Sequence, residues 1–322
     1  MTVIFVEHTT LAFNHFGRVL MSEFNLLNTL PQIGFGTYLI PNDEAAIAVS
    51  TALEIGYRHI DTAEGYQNET GVGSAISAAK NSLGLSRSDI FVTTKLWPGN
   101  PEWGMETKDY NETVISLDNS LKKLGLDYVD LYLIHAPFAV KDRIEQWRAC
   151  CDQKKAGKAR FVGVSNYSEP HIAEIVSSGL SMPDANQIEL HPWCQKPHLN
   201  NFLKKNNIDA IAYSSLMPLA NWREKPGQDS AKSDALRKDG AAANSPFKTM
   251  ATRYAVTEAQ LLLRWGLQRG YPVLPKTVSP ERMKENFDLK GFTIDQQDMN
   301  SLDTMDRGDG VAWRSGDPCN SA

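Results

Sequence analysis

Cysteine and long apolar runs are both scarce in this 322-residue sequence. Its four cysteines are Cys150, Cys151, Cys194 and Cys319. None forms a CxxC pair or takes a zinc-site spacing with histidines, and four are too few for a disulfide scaffold. We therefore expect reduced, structural thiols and no metal site. No apolar run approaches the roughly 18 residues that a membrane span requires, so we expect none.

A basic patch is absent too. The formal net charge is -5 at pH 7, the sequence pI is about 5.8, and no dense stripe of lysine and arginine occurs. A mildly acidic chain of this kind lacks the electrostatic footprint of a protein that binds nucleic acid or an anionic membrane. We therefore expect neither as a partner.

The start of the chain lacks a basic stretch followed by an apolar block, so we expect no secretory signal, while an organelle presequence stays open. Met21 begins a segment that reads like an alternative start. Residues 1–21 are expected to be a disordered or non-native extension, and residues 22–322 to form one domain. Two glycosylation sequons, Asn68 and Asn166, lie in motifs assigned to the active site below, which favours a cytoplasmic location.

Short apolar runs alternate with amphipathic stretches along the chain. The runs that we predict as buried parallel strands are Ile33–Thr37, Tyr57–Asp61, Ile90–Lys95, Val129–His135, Arg160–Val164, Ala185–Glu189, Ile208–Ala212 and Tyr271–Pro275. Between them, Asp43–Glu54 and Asn111–Leu124 have helical spacing of apolar residues, and Gly125 is a helix stop. Eight such units predict an α/β fold, a closed (β/α)8 TIM barrel with long loops on its C-terminal face. No GxGxxG turn opens the first unit, which disfavours an open dinucleotide-binding sheet.

Four polar residues that can handle protons follow predicted strands. Asp61 ends the second, Tyr66 lies in the next loop, Lys95 ends the third and His135 ends the fourth. A lysine beside a carboxylate forms a salt bridge, and we expect its charge to lower the tyrosine pKa. Such a tyrosine can protonate a carbonyl oxygen that a histidine orients. Each residue alone is weak support, because a strand-end histidine or an Asp–Lys pair is more often structural.

The order of these motifs decides between the two interpretations. The stretch Gly56-Tyr-Arg-His-Ile-Asp-Thr-Ala-Glu-Gly-Tyr-Gln-Asn-Glu is followed by Thr94-Lys-Leu-Trp and then by Asp130-Leu-Tyr-Leu-Ile-His. From about Leu30 to Asp306 the chain resembles the aldo-keto reductase family, in particular NADPH-dependent aldose, aldehyde and xylose reductases. The resemblance implies the TIM barrel and a catalytic tetrad formed by Asp61, Tyr66, Lys95 and His135.

The resemblance also implies a cofactor site. Ser165, Asn166 and Gln187 match the residues that hold the nicotinamide amide, and Tyr213 matches the aromatic residue that stacks on the ring. Lys276, Thr277, Ser279 and Arg282 suit a phosphate on the adenosine ribose, which favours NADPH over NADH; an exposed basic helix start is the alternative. The other expected contacts are Gly36, Thr37, Tyr38, Asp61, Ser214, Ser215, Leu216, Val278, Glu285 and Asn286.

Two departures from the family pattern affect the substrate pocket and the cofactor loop. Ala136 replaces a tryptophan common after the catalytic histidine, which should open one pocket wall. The expected substrate contacts are Tyr38, Tyr66, Trp97, His135, Phe138 and Trp313, the last on an irregular tail. Ser215 and Met217 replace a proline and a glycine at the start of a long polar stretch, up to about Phe247, that we expect to cover the cofactor.

The leading prediction is therefore NADPH-dependent reduction of aldehydes or ketones to alcohols, with Tyr66 as the general acid. One alternative is an NADPH-binding sensor or regulatory subunit with slow turnover. Another is a non-redox barrel enzyme whose phosphate site binds a sugar phosphate. The expected partner is a small-molecule carbonyl compound, and the expected state is a monomer or a weak dimer.

Overall fold

The computed structural model describes residues 26–219, 238–240 and 242–322. The predicted extension at residues 1–21 lies outside this part of the chain. So do residues 220–237 and 241, which make up most of the long polar stretch predicted to cover the cofactor.

Seven parallel strands, each hydrogen-bonded to the next along the chain, form one sheet with the order β1-β2-β3-β4-β5-β6-β7. They are β1 Phe35–Gly36, β2 His59–Asp61, β3 Phe91–Leu96, β4 Val129–Ile134, β5 Ala159–Ser165, β6 Ala185–Glu189 and β7 Asp209–Tyr213. Every residue of β3 and β4 is buried, as expected for a parallel sheet whose two faces are covered. Seven of the eight predicted runs are thus strands, and their carboxyl ends share one edge.

The eighth predicted strand, Tyr271–Pro275, forms single bridges instead of a continuous ladder. Val273 pairs in parallel with Ile33 beside β1 and also with Ala212 in β7. Prolines occupy positions 272 and 275, and a proline has no N–H to extend a ladder. This segment therefore contacts both edges of the seven-stranded sheet without being a strand itself.

Helices connect the strands. Their bounds are Leu26–Thr29, Asn42–Ile55, Glu69–Ser82, Tyr110–Leu124, Arg143–Lys155, Glu169–Ser177, Pro197–Lys205, Pro246–Tyr254, Glu258–Gln268, Pro280–Phe287 and Gln296–Asp303. The helix predicted over Asn111–Leu124 begins one residue earlier, where Asp109 and Glu112 form a capping box, and it ends at Gly125 with φ of 65°. Within the described residues, no helix is long and apolar enough to cross a membrane.

A buried histidine lies at the start of β2, one strand length from the sheet edge that carries Asp61. The ring of His59 is fully buried against Phe91, and its Nε2 is 2.9 Å from Thr93 Oγ1. Burial lowers the pKa of His59 from its usual 6.5 to about 4. The folded chain therefore holds this imidazole neutral at pH values where the unfolded chain would protonate it.

We predict that His59→Gln reduces the acid sensitivity of folding. Since the folded pKa is depressed, the stability linked to His59 is fully present above about pH 6.5 and is lost as the pH falls toward 4. Between pH 7 and pH 5, protonation of His59 in the unfolded state should lower the free energy of unfolding of the unaltered chain by about 2 kcal/mol, and the variant should lack this contribution. Urea unfolding of both proteins at the two pH values measures it. An equal loss in the variant and in the unaltered chain would contradict the prediction.

Candidate active site

Three parallel strands and the turn that follows β2 bring the predicted tetrad together at the carboxyl edge of the sheet. Asp61 ends β2, Lys95 lies near the end of β3, and His135 follows β4. Tyr66 ends a short 3-10 turn, Glu64–Tyr66. The Glu64 carboxylate ties this turn to β3 by accepting a hydrogen bond from the Trp97 N–H at 3.0 Å.

Lys95 and Asp61 form a buried ion pair. Lys95 Nζ lies 2.5 Å from Asp61 Oδ1 and 2.9 Å from the Thr62 carbonyl oxygen, and its side chain is fully buried. The second Asp61 oxygen accepts a hydrogen bond from Gln187 Nε2 at 2.8 Å. Burial lowers the lysine pKa from its usual value, while Asp61 opposes that change. The pair is held by hydrogen bonds as well as by charge.

The Tyr66 hydroxyl lies beside this pair. Lys95 Nζ donates to the Tyr66 hydroxyl oxygen at 3.5 Å. The pKa of Tyr66 is nevertheless raised well above 10, by burial first and then by Asp61 and Tyr38. The expectation that Lys95 lowers this pKa was wrong, because the lysine charge is matched by the adjacent aspartate and the phenol has lost its hydration. Tyr66 therefore keeps its proton at neutral pH, the state in which a phenol can donate it.

His135 closes the group on the β4 side. Its ring packs edge-on against Tyr66 with centroids 5.4 Å apart. Burial, and then the charge of Lys95, lower the pKa of His135 well below 6.5. Its Nδ1 has no hydrogen-bond partner within the described residues. Because its pKa is lowered, the imidazole is neutral at pH 7. One of its two ring nitrogens then carries a hydrogen that it can donate.

An amide cluster lies next to the tetrad, at the ends of β5 and β6. Ser165 Oγ donates to the Gln187 carbonyl oxygen at 2.7 Å, and Asn166 Nδ2 donates to the His135 carbonyl oxygen at 3.0 Å. Asn166 has φ of 64°, a left-handed conformation that asparagine tolerates better than most residues. Tyr213 ends β7, and its hydroxyl donates to Asn166 Oδ1 at 2.6 Å. The four residues predicted to hold the nicotinamide are thus mutually connected.

Other predicted cofactor contacts lie at the end of β1 or just after it, and just after β7. Thr37 follows Gly36 and donates twice to the Asp61 carbonyl oxygen, from its N–H and its hydroxyl, each at 3.0 Å. Tyr38 is next along the chain. Ser214, Ser215 and Leu216 follow β7, and the buried Ser215 Oγ has no partner within the described residues. A buried hydroxyl without a partner is costly, so a ligand with a polar group fits this position.

The seven residues predicted for the adenosine end lie on one turn and the helix after it. They are Lys276, Thr277, Val278, Ser279, Arg282, Glu285 and Asn286. Ser279 caps the helix Pro280–Phe287. Its hydroxyl also donates to Glu281 Oε2 at 2.8 Å, a contact that the sequence did not predict. Arg282 is exposed and pairs with no carboxylate in the described part of the chain. Its guanidinium therefore fits an incoming phosphate.

Aromatic rings form a wall beside the tetrad. Trp97 and Trp313 both pack edge-on against His135, at 5.7 and 5.8 Å, and Phe138 packs against Trp313 at 5.7 Å. Tyr38 lies 5.1 Å from the ring of Tyr66. The structure thus groups all the predicted substrate contacts.

The wall has one member that we did not predict. Trp103 stacks on Trp97 at 5.8 Å and contacts Phe138 at 5.6 Å. It ends the 3-10 turn Pro101–Trp103, which Asn100 caps. A second tryptophan six residues after Trp97 was the signal that the sequence offered. Trp103 also lies 6.4 Å from the ring of Trp313, so its indole makes up part of the wall.

A cavity of about 680 Å³ adjoins this wall. Phe138 and Trp313 line it together with the loop at Asn100–Glu102 and the tail at Asp309–Asp317. None of the four tetrad residues lines it. The cavity therefore borders the aromatic wall and is distinct from the polar cluster where the chemistry is expected.

Residues 32–307 match the family model described as "Aldo/keto reductase family". The chain belongs to the aldo-keto reductases. It is accordingly an oxidoreductase that uses NADP(H), and the cluster at the sheet edge is the candidate site of carbonyl reduction in this aldo-keto reductase.

Curated relatives and solved structures agree with the family match. An uncharacterised oxidoreductase of Schizosaccharomyces pombe is 36% identical over 90% of this chain and 94% of its own length. Methylglyoxal reductase of Escherichia coli is 34% identical, over 87% and 91%. The aldo-keto reductase of Bombyx mori, solved in complex with NADP, is 32% identical with a TM-score of 0.75, covering 86% of this chain and 90% of its own.

We predict that Asp61→Asn lowers the free energy of unfolding by about 3 kcal/mol, because it leaves the Lys95 ammonium buried without a counter-charge. The double variant Asp61→Asn, Lys95→Met should recover much of that loss, since it removes the charge as well. Urea unfolding of the two single variants and the double variant at pH 7 measures the coupling. Additive losses would show that the pair is not coupled as its geometry indicates.

Proposed function

We propose that this chain reduces aldehydes or ketones to alcohols with NADPH, and that Tyr66 supplies the proton. The observation that carries the proposal is the meeting of Asp61, Tyr66, Lys95 and His135 at one sheet edge, beside the amide cluster. We also propose that Tyr271–Pro275 closes the sheet into a (β/α)8 barrel, which its bridges to both edges support.

When bound, NADPH supplies the hydride that is added to the carbonyl carbon. The Tyr66 hydroxyl donates its proton to the carbonyl oxygen. It can do so because its own oxygen accepts from Lys95 Nζ, which leaves its hydrogen directed elsewhere. As the phenol loses its proton, the ammonium stabilises the negative charge that develops on its oxygen. Asp61 keeps the ammonium charged and in place.

His135 acts as a neutral hydrogen-bond donor. Its lowered pKa means that it holds no positive charge near pH 7, so it can orient the substrate oxygen without competing with Tyr66 as an acid. The aromatic wall, with Trp97 and Trp313 packed on this imidazole, excludes water from the position where the oxygen would lie. The wall favours an apolar substituent on the carbonyl.

The residues at the other strand ends would hold the cofactor. Ser165, Asn166 and Gln187 present the amide and hydroxyl groups that a carboxamide can pair with. The ring of Tyr213 provides a flat surface for the nicotinamide. Arg282, with Lys276 and Ser279, would bind the phosphate on the adenosine ribose, and the buried Asn286 has an amide suited to the adenine.

We predict that Tyr66→Phe binds NADPH with nearly unchanged affinity but loses about 10³-fold in kcat for carbonyl reduction. The change removes the proton donor and leaves the ring. Fluorescence titration measures binding, and oxidation of NADPH with an aldehyde measures turnover. The matched control is Tyr110→Phe, which removes the hydroxyl of a tyrosine bonded to Asp152 outside the site and should retain most activity. Equal losses in the two variants would refute the role of Tyr66.

We predict that Arg282→Ala raises the Kd for NADPH about 10- to 100-fold, since a charge-assisted hydrogen bond to phosphate is lost. The Kd for NADH, which has no such phosphate, should change little. Lys284→Ala removes another exposed cation from the same helix and serves as the control for general charge effects. A similar loss for both cofactors would contradict the proposed phosphate contact.

A further inference from the structure

The C-terminal segment reaches the proposed nicotinamide site through two hydrogen bonds in series. Trp313 Nε1 donates to the Tyr213 hydroxyl at 3.0 Å, and this hydroxyl donates to Asn166 Oδ1 at 2.6 Å. Tyr213 thus accepts from one neighbour and donates to the other. Its hydroxyl can satisfy both only in a narrow range of ring orientations, so the indole N–H helps to fix the phenol ring.

The far end of this chain of bonds is tied to the catalytic cluster. Asn166 also donates to the His135 carbonyl oxygen and to Ser165 Oγ, each at 3.0 Å. Its side-chain oxygen is therefore held by Tyr213 while its nitrogen holds the end of β4. A change in the Tyr213 hydroxyl would alter the position of the amide as well as that of the ring.

Buried carboxylates fix the backbone around Trp313. The two oxygens of Glu189, at the end of β6, accept hydrogen bonds from the N–H groups of Val311 and Ala312 at 3.0 and 2.8 Å. A carboxylate oxygen of Asp317 accepts from the Gly310 N–H at 2.8 Å. These bonds hold the segment on both sides of the tryptophan, so its indole is presented to Tyr213 by a rigid backbone.

Gly310 shows how closely the segment approaches the sheet. A Cβ atom at this position would lie 2.4 Å from Glu189 Oε2, closer than any ordinary contact. Glu189 is itself almost fully buried, with His191 Nε2 3.0 Å from Oε1. Because both oxygens are occupied by partners from the segment and by His191, the carboxylate acts as an anchor for the segment.

We propose that Trp313 is a positioning residue for the cofactor: its indole N–H holds the Tyr213 hydroxyl, and through it Asn166, in the arrangement that binds the nicotinamide. The inference rests on the proposed function, because it takes Tyr213 and Asn166 as cofactor contacts. It adds a role for Trp313 beyond the aromatic wall. The residue that borders the substrate also sets the affinity for the cofactor.

The test is a double-mutant cycle in the full chain, read out as the Kd for NADPH in fluorescence titrations without substrate. Trp313→Phe and Tyr213→Phe each keep an aromatic ring and remove a hydrogen-bonding group. Each should raise the Kd about 5-fold. The double variant should bind no more weakly than Tyr213→Phe alone, because Trp313 acts only through the hydroxyl that this variant lacks.

The matched control is Trp103→Phe, which alters a wall tryptophan that stacks on Trp97. Its Kd for NADPH should stay within about 2-fold of the original. Additive effects in the cycle, or an unchanged Kd for Trp313→Phe, would overturn the proposal, since a merely structural tail acts equally in both backgrounds. If the unaltered chain bound NADPH without reducing any carbonyl, the proposed function would fail, while the cycle would still measure the coupling of Trp313 to Tyr213. Absence of NADPH binding would overturn both.

Discussion

The buried ion pair between Lys95 and Asp61 is the interaction on which the site depends. Removing two charges from water costs several kcal/mol per ion, and only good geometry with further hydrogen bonds offsets that cost. Here the Thr62 carbonyl oxygen and Gln187 Nε2 supply those bonds. Since the pair spans adjacent parallel strands, the register of β2 and β3 determines its geometry. The electrostatics of the site therefore depend directly on correct strand pairing.

Burial acts on three neighbouring groups in different ways. It disfavours the charged form of each, so Tyr66 keeps its proton and His135 stays neutral. Lys95 experiences the same penalty, but Asp61 opposes it. One apolar environment with a single carboxylate therefore leaves a protonated phenol, a neutral imidazole and an ammonium side by side. The same burial thus accounts for the protonation states of Tyr66 and His135, and Asp61 accounts for that of Lys95.

The sequence predicted that Asp61, Tyr66, Lys95 and His135 lie close together, because parallel strands bring their carboxyl ends to one edge of the sheet. It failed where the answer depended on long-range packing. The pKa of Tyr66 depends on burial and on the charge balance around Lys95, which no local pattern reveals. The contact of Trp103 with Trp97 depends on how the loop after β3 folds. The contact of Glu281 with Ser279 depends on the geometry of the turn before the helix Pro280–Phe287. Tyr271–Pro275 has the apolar pattern of a strand, but its two prolines lack the N–H groups that a continuous ladder requires.

The sheet divides the proposed work between its two halves. Strands β2 to β4 carry the proton-handling groups, whereas β5 to β7 carry the groups for the nicotinamide. Besides the ladder between β4 and β5, two side-chain hydrogen bonds join the halves at the site: Gln187 Nε2 to Asp61 Oδ2, and Asn166 Nδ2 to the His135 carbonyl oxygen. Each bond uses a residue proposed to hold the cofactor. Placement of the cofactor amide and placement of the acid and the imidazole are thus coupled, which is the geometry that proton donation and hydride addition to one carbonyl require.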